Sequence, residues 1–120
     1  MVDYQKLCSD VMNLEQKIRM ATICDSSGKI IFYDRREGIT NLLTPEESRK
    51  SLEMAVKSWK TRNELANKLG KGKYVLAEYE KIKRITMPLG DNHLLYITTE
   101  ADADHSKILD GVHRIESRLE

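Results

Sequence analysis

Apolar positions recur at spacings of three and four from the start of the chain. Tyr4, Leu7, Cys8, Val11, Leu14 and Ile18 fall on one side of a helix, with Gln5, Lys6, Asp10, Asn13, Glu15 and Lys17 between them. Asp3 stands where an N-cap is needed. The spacing predicts an amphipathic helix that buries one stripe against a sheet. The period then changes. Residues 19–24 and 29–33 read as strands on either side of Asp25, Ser26, Ser27 and Gly28. Asp and Ser favour the start of such a turn and Gly28 can take the positive φ that closes it, so the pair is predicted to be a hairpin. Its first strand is apolar or small on both faces, Ala21 and Ile23 on one and Met20, Thr22 and Cys24 on the other, as a central strand covered from both sides would be.

A polar connection from Asp34 to Leu43, containing Gly38, leads into Thr44-Pro45-Glu46-Glu47. Thr44 caps, Pro45 takes the first helical position and Glu47 completes a capping box. The helix that follows is expected to bury Leu52, Ala55, Val56, Trp59, Ala66 and Leu69, with Gly70 as its stop. Three strands follow: residues 73–80, residues 82–87 after a tight turn near Glu80 and Lys81, and residues 93–99 after a turn through residues 89–92. The last of these is apolar on both faces and should be central. The middle one carries Lys83 and Arg84, as a strand nearer the edge would. A final helix begins near Asp104 and buries Ile108, Val112, Ile115 and Leu119.

The element string is therefore α-β-β-α-β-β-β-α. Two strands with two apolar faces require helices on both sides of one sheet. Joining hairpin and meander through their most apolar strands gives an α+β fold with a five-stranded antiparallel sheet in the order 2-1-5-4-3. One domain over residues 1–120 accommodates all of it.

Composition narrows the class. At 120 residues, 40% hydrophobic and 32% charged, the chain is a globular domain and not a disordered tail. No apolar run approaches the ~20 residues of a spanning helix, so no membrane insertion is expected. The opening residues lack the pattern of a secretory signal, and Cys8 and Cys24 fit no disulfide framework, so both thiols are read as reduced and the protein as cytoplasmic. Net charge is +1, yet from Lys57 to Lys73 six bases face one acid. Lys57, Lys60, Lys68 and Lys71 lie roughly on one side of the helix, and Lys83 and Arg84 follow in the next strands. Such a basic patch suits phosphates, an anionic membrane or an acidic partner. With only Tyr74 and Tyr79 nearby and no stacking platform, nucleic acid is an unlikely partner, and weak association through the basic helix is the most this composition supports.

Catalytic and metal chemistry is thinly represented. Asp102, Asp104 and His105 form a small cluster whose types could hold a metal, but Asp104 equally fits a helix N-cap. Cys24 beside Asp25 has no neighbouring base in sequence to lower its pKa. The Gly70-Lys71-Gly72-Lys73 run follows a helix instead of opening one, and lacks the spacing of a phosphate loop. No cofactor, metal or enzymatic activity is expected.

The element string, and the stretches Ala-Thr-Ile-Cys-Asp-Ser-Ser-Gly-Lys-Ile-Ile (21–31), Ile-Thr-Met-Pro-Leu-Gly (85–90) and Leu-Leu-Tyr-Ile-Thr-Thr (94–99), resemble the roadblock / dynein-light-chain family, whose layout is related to profilin, longin and PAS-type domains. The resemblance implies a non-catalytic adaptor. Such proteins dimerise by pairing the third strand and central helix of two protomers, and serve as scaffolds or regulators of small GTPases. Carried onto this chain, the dimer interface would use Tyr74, Leu76 and Glu78, or Val75, Ala77 and Tyr79, according to the face shown, with Val56 and Trp59 from the helix. Trp59 can instead fill the core of its own monomer. The alternative function is a PAS- or profilin-like sensor that encloses a small ligand.

Overall fold

The structure, a computed structural model, describes residues 3–118. Its elements are α1 (Tyr4–Met12), β1 (Ile18–Asp25), β2 (Ile30–Arg35), α2 (Pro45–Glu64), α3 (Ala66–Leu69), β3 (Val75–Glu78), β4 (Ile82–Leu89), β5 (His93–Glu100) and α4 (His105–Ser117). The five strands make one antiparallel sheet in the order β2-β1-β5-β4-β3, with α1 and α4 on one face and α2 on the other. The fold is the expected α-β-β-α-β-β-β-α layout, with one added helical turn after α2.

The two-sided strands divide the core. Ala21 and Ile23 of β1 and Leu95 and Ile97 of β5 pack beneath α1 and α4, against Leu7, Val11, Ile108 and Val112. Cys24 and Leu94 face the other way, beneath Leu52, Val56 and Trp59 of α2. Local signals operate as their chemistry dictates. Asp3 Oδ1 accepts from Lys6 N, Thr44 and Glu47 form the reciprocal capping box, and Asp104 caps α4. Gly28 closes the hairpin at φ +89°, where Asp25 Oδ1 accepts from the backbones of Ser27 and Lys29.

Four expectations are corrected. The first helix stops at Met12, and Ile18 opens β1. Arg36 is the reason: its guanidinium donates to the carbonyls of Met12, Glu15 and Ile18 at 2.9, 3.0 and 3.1 Å, and so holds the chain in a turn where periodicity alone would continue the helix. Leu69, expected to be buried, is 79% exposed, because α2 ends at Glu64 and the short α3 that follows the break at Leu65 buries none of its residues. The third strand begins at Val75 and not at residue 73. In the observed register residue 73 would oppose Pro88, which has no N–H to donate. Lys83, expected in a basic patch, is buried: β4 lies one strand in from the edge, as the predicted order has it, and Lys83 is 7% exposed with its Nζ donating to Ala103 O at 2.9 Å and lying 3.0 Å from His105 Nδ1. Leu119 lies outside the described residues.

Two features of the core make testable statements. A Cβ on Gly111 of α4 would fall 2.5 Å from Leu14 Cδ2 and within 3.1 Å of two further Leu14 atoms. Gly111→Ala should therefore destabilise the chain by about 1–3 kcal/mol in urea denaturation, and adding Leu14→Ala should make the second substitution less damaging than it is alone. Both thiols are fully buried, and burial first, a nearby aspartate second, pushes Cys8 from 9.0 to about 12 and Cys24 to about 11. A raised folded pKa on an acid means that the unfolded chain loses its protons first. The contribution is present below pH 9 and is lost as pH rises through 9 toward 11 and 12. Stability measured from pH 8 to 10.5 should fall, and replacing both cysteines by alanine should flatten that part of the curve.

Candidate functional site

β3 lies at the end of the sheet, and its outer edge faces no other strand among the described residues. Tyr79 N donates to Ile82 O at 2.8 Å, which sets the alternation of the ladder. Val75 and Ala77 exchange bonds with β4, and the N–H and C=O groups of Leu76 and Glu78 point outward. The side chains divide by face. Leu76 packs with the α1/α4 core, and Val75 with the α2 core. Tyr74 and Tyr79 are each about half exposed, at 51% and 49%.

Alongside this edge, α2 presents two stripes. Leu52, Val56 and Trp59 are buried against the sheet. Trp59 is 4% exposed, and its Nε1 donates to Thr86 Oγ1 at 2.8 Å, so it packs in this chain's own core. Gly72 allows the following loop to lie against that indole, since a Cβ there would come within 2.6 Å of the ring. The second stripe, Ser51, Met54, Ala55, Ser58 and Arg62, runs beside β3, and Met54 is 60% exposed. Periodicity could have shown these residues, which recur at three and four one step round from the buried ones.

Between that stripe and the sheet lies a small groove of about 110 Å³. Arg84 crosses its floor. Its Nη1 donates to Ser51 Oγ at 2.8 Å, and Ser51 Oγ also lies 2.8 Å from Tyr96 Oη. The guanidinium stands 5.6 Å from the Tyr79 ring centroid and 5.7 Å from that of Tyr96. Burial raises the Tyr96 hydroxyl pKa against the opposing effects of Ser51 and Arg84.

The expected basic patch is divided by the fold. Lys57, Lys60, Lys68 and Lys71 are exposed on or just beyond α2 and α3. Arg84 lies half-buried beneath α2, and Lys83 points to the opposite face of the sheet. The Asp102, Asp104 and His105 cluster is likewise dispersed: Asp102 pairs with Lys17 at 2.6 Å, Asp104 caps α4 and His105 meets Lys83. A separate open cleft of about 750 Å³ lies where the residue 71–74 loop, the β4–β5 turn and the second half of α4 converge, with Trp59, Tyr74, Leu94 and Val112 among its apolar walls. No described helix is long and apolar enough to cross a membrane.

No family model and no curated protein sequence matches the chain. Solved structures do. An MglB with a tetrameric arrangement superimposes with a TM-score of 0.78 at 14% identity, over 96% of this chain and 83% of that one. The Roadblock/LC7 domain from Streptomyces avermitilis gives 0.74 at 12% identity, over 98% and 95%. A profilin from Schizosaccharomyces pombe gives 0.64 at 12% identity, over 98% and 96%. The chain has the roadblock fold, which profilin shares in outline.

Proposed function

We propose that this chain is a non-catalytic adaptor that self-associates through β3 and α2 and presents the joined surface to a protein partner, a small GTPase or a complex that it scaffolds. The observation that carries the reading is the unpaired outer edge of β3 beside an α2 stripe with exposed apolar residues. Pairing with a second copy satisfies the outward backbone groups of Leu76 and Glu78 and covers Met54 and Tyr79. The MglB with a tetrameric arrangement, which has this fold, lends support. Val56 and Trp59 pack in the chain's own core, and the exposed side of the helix adds Met54 and Ser58 to the proposed surface.

Sedimentation velocity at 5–200 µM should show a dimer. Met54→Glu should weaken it by tenfold or more with little change in the melting temperature, because Met54 is 60% exposed in the single chain. A strict monomer across that range overturns self-association. Capture of a partner from native extract with bead-bound protein, compared in GDP and in a non-hydrolysable GTP analogue, tests the GTPase arm: a captured GTPase whose yield changes with nucleotide supports it.

The open cleft favours a second reading, a small-ligand sensor, since its volume falls within the range of ligand pockets. Protein purified from its native source should then release a small molecule on denaturation, seen by mass spectrometry. A clean spectrum, with no melting shift from a metabolite panel, removes that reading.

A further inference from the structure

The open cleft owes its shape to the late start of β3. That strand begins at Val75, opposite Thr86, while β4 continues to Leu89 with no strand on its outer side among the described residues. By the alternation of the ladder the Pro88 carbonyl faces the gap, which residues 71–74 border. The cleft therefore passes the corner of the sheet from one face to the other. Val56, Trp59 and Leu94 line it beneath α2, and Met87, Leu109 and Val112 line it beneath α4.

Its charges are sorted between those two sides. Lys60, Lys71 and Lys73 stand on the α2 side, where Gly72 holds their loop against the Trp59 indole. Asp110 and Glu116 stand on the α4 side. The carboxylate on the lysine side, Asp25, is engaged by its own hairpin: Oδ1 accepts from the backbones of Ser27 and Lys29 and from Ser27 Oγ. Asp91 lies in the turn between the sides, and the α4 side also holds the imidazoles of His93 and His113. Neither the three lysines nor Asp110 has an ion pair among the described residues.

We infer that this cleft takes a small dipolar ligand, with a carboxylate at one end for the lysines, an ammonium group at the other for Asp110, and an apolar body between. Charge complementarity on both sides selects that form. A purely anionic ligand would bring like charge toward Asp110, and a purely cationic one would face three lysines. Part-exposed Pro88 and Leu109 supply apolar surface for the body. At about 750 Å³ the cleft suits a ligand far larger than a free ion. A short unblocked peptide has this form, and its amide N–H matches the Pro88 carbonyl. This ligand chemistry rests on the small-ligand sensor reading of the same cleft, which shares no lining residue with the groove beside β3.

The test is isothermal titration of the full chain at low salt with trileucine and with its N-acetylated, C-amidated and doubly capped forms. Trileucine should bind, and each single cap should weaken it about tenfold. In the Lys71→Gln, Lys73→Gln double variant the amide cap should lose most of its effect while the acetyl cap keeps its own. Asp110→Asn should do the reverse. All three side chains are exposed, so both variants should keep the melting temperature of the parent. Free leucine carries both charges without the length to reach both faces of the sheet, and should bind about tenfold more weakly. No binding of trileucine, equal binding of its doubly capped form or of leucine, or cap effects that ignore the substitutions overturns the inference. So does a molecule released from the natively purified protein that lacks an amine or a carboxylate, and that result leaves the sensor reading standing.

Discussion

Everything in this molecule follows from the two apolar faces of its central strands. Ile23 and Leu95 on one side of the sheet and Cys24 and Leu94 on the other are all nearly or fully dry. Neither set can be buried unless helices cover both faces, and with three main helices available the cover is unequal. Two of them, α1 and α4, close one face. On the other α2 works alone. Strand order then follows, since the two-sided strands must sit inside and the less apolar ones outside.

That inequality positions the candidate site. A single helix buries one stripe beneath itself, and the residues one step round its circumference stay uncovered. In α2 these are Met54, Ser58 and Arg62, and they lie along the side that borders β3. The same geometry explains why Arg84 sits as it does. It projects from an interior strand toward the face with the thinner cover, where two tyrosine rings and one serine hydroxyl accommodate it and no carboxylate meets it. Lys83, one residue earlier, projects toward the better covered face, where a carbonyl and an imidazole nitrogen accept it. Adjacent cations on one strand thus have opposite surroundings because successive strand residues alternate faces.

Signals carried by neighbouring residues were legible in the sequence. The capping box at Thr44 and Glu47, the Gly28 turn, the N-cap Asp104 and the strand order all depend on chemistry within a few positions or on whole-strand polarity. What escaped depends on long-range partners. The end of α1 is set by Arg36, a residue 24 positions after Met12 that reads as one more charge in a polar loop. The start of β3 is set by Pro88, visible in the sequence but informative only once the register places it opposite residue 73. Trp59 had two readings, core or interface, and its bond to Thr86 places it in the core of its own chain. The second stripe of α2 was masked because serine, alanine and arginine do not announce a surface by hydropathy. Its meaning comes from the free strand edge beside it.

The shortness of β3 determines what that edge can do. Two four-residue strands paired antiparallel exchange about four backbone hydrogen bonds through their outward groups. At a net ~0.5–1.5 kcal/mol each, these sum to less than most of the ~4–15 kcal/mol that association costs. The strand edge therefore supplies register and direction, and the affinity of any assembly formed here must come from side chains. Exposed apolar groups at Met54 and Tyr79 can supply part of it by leaving water.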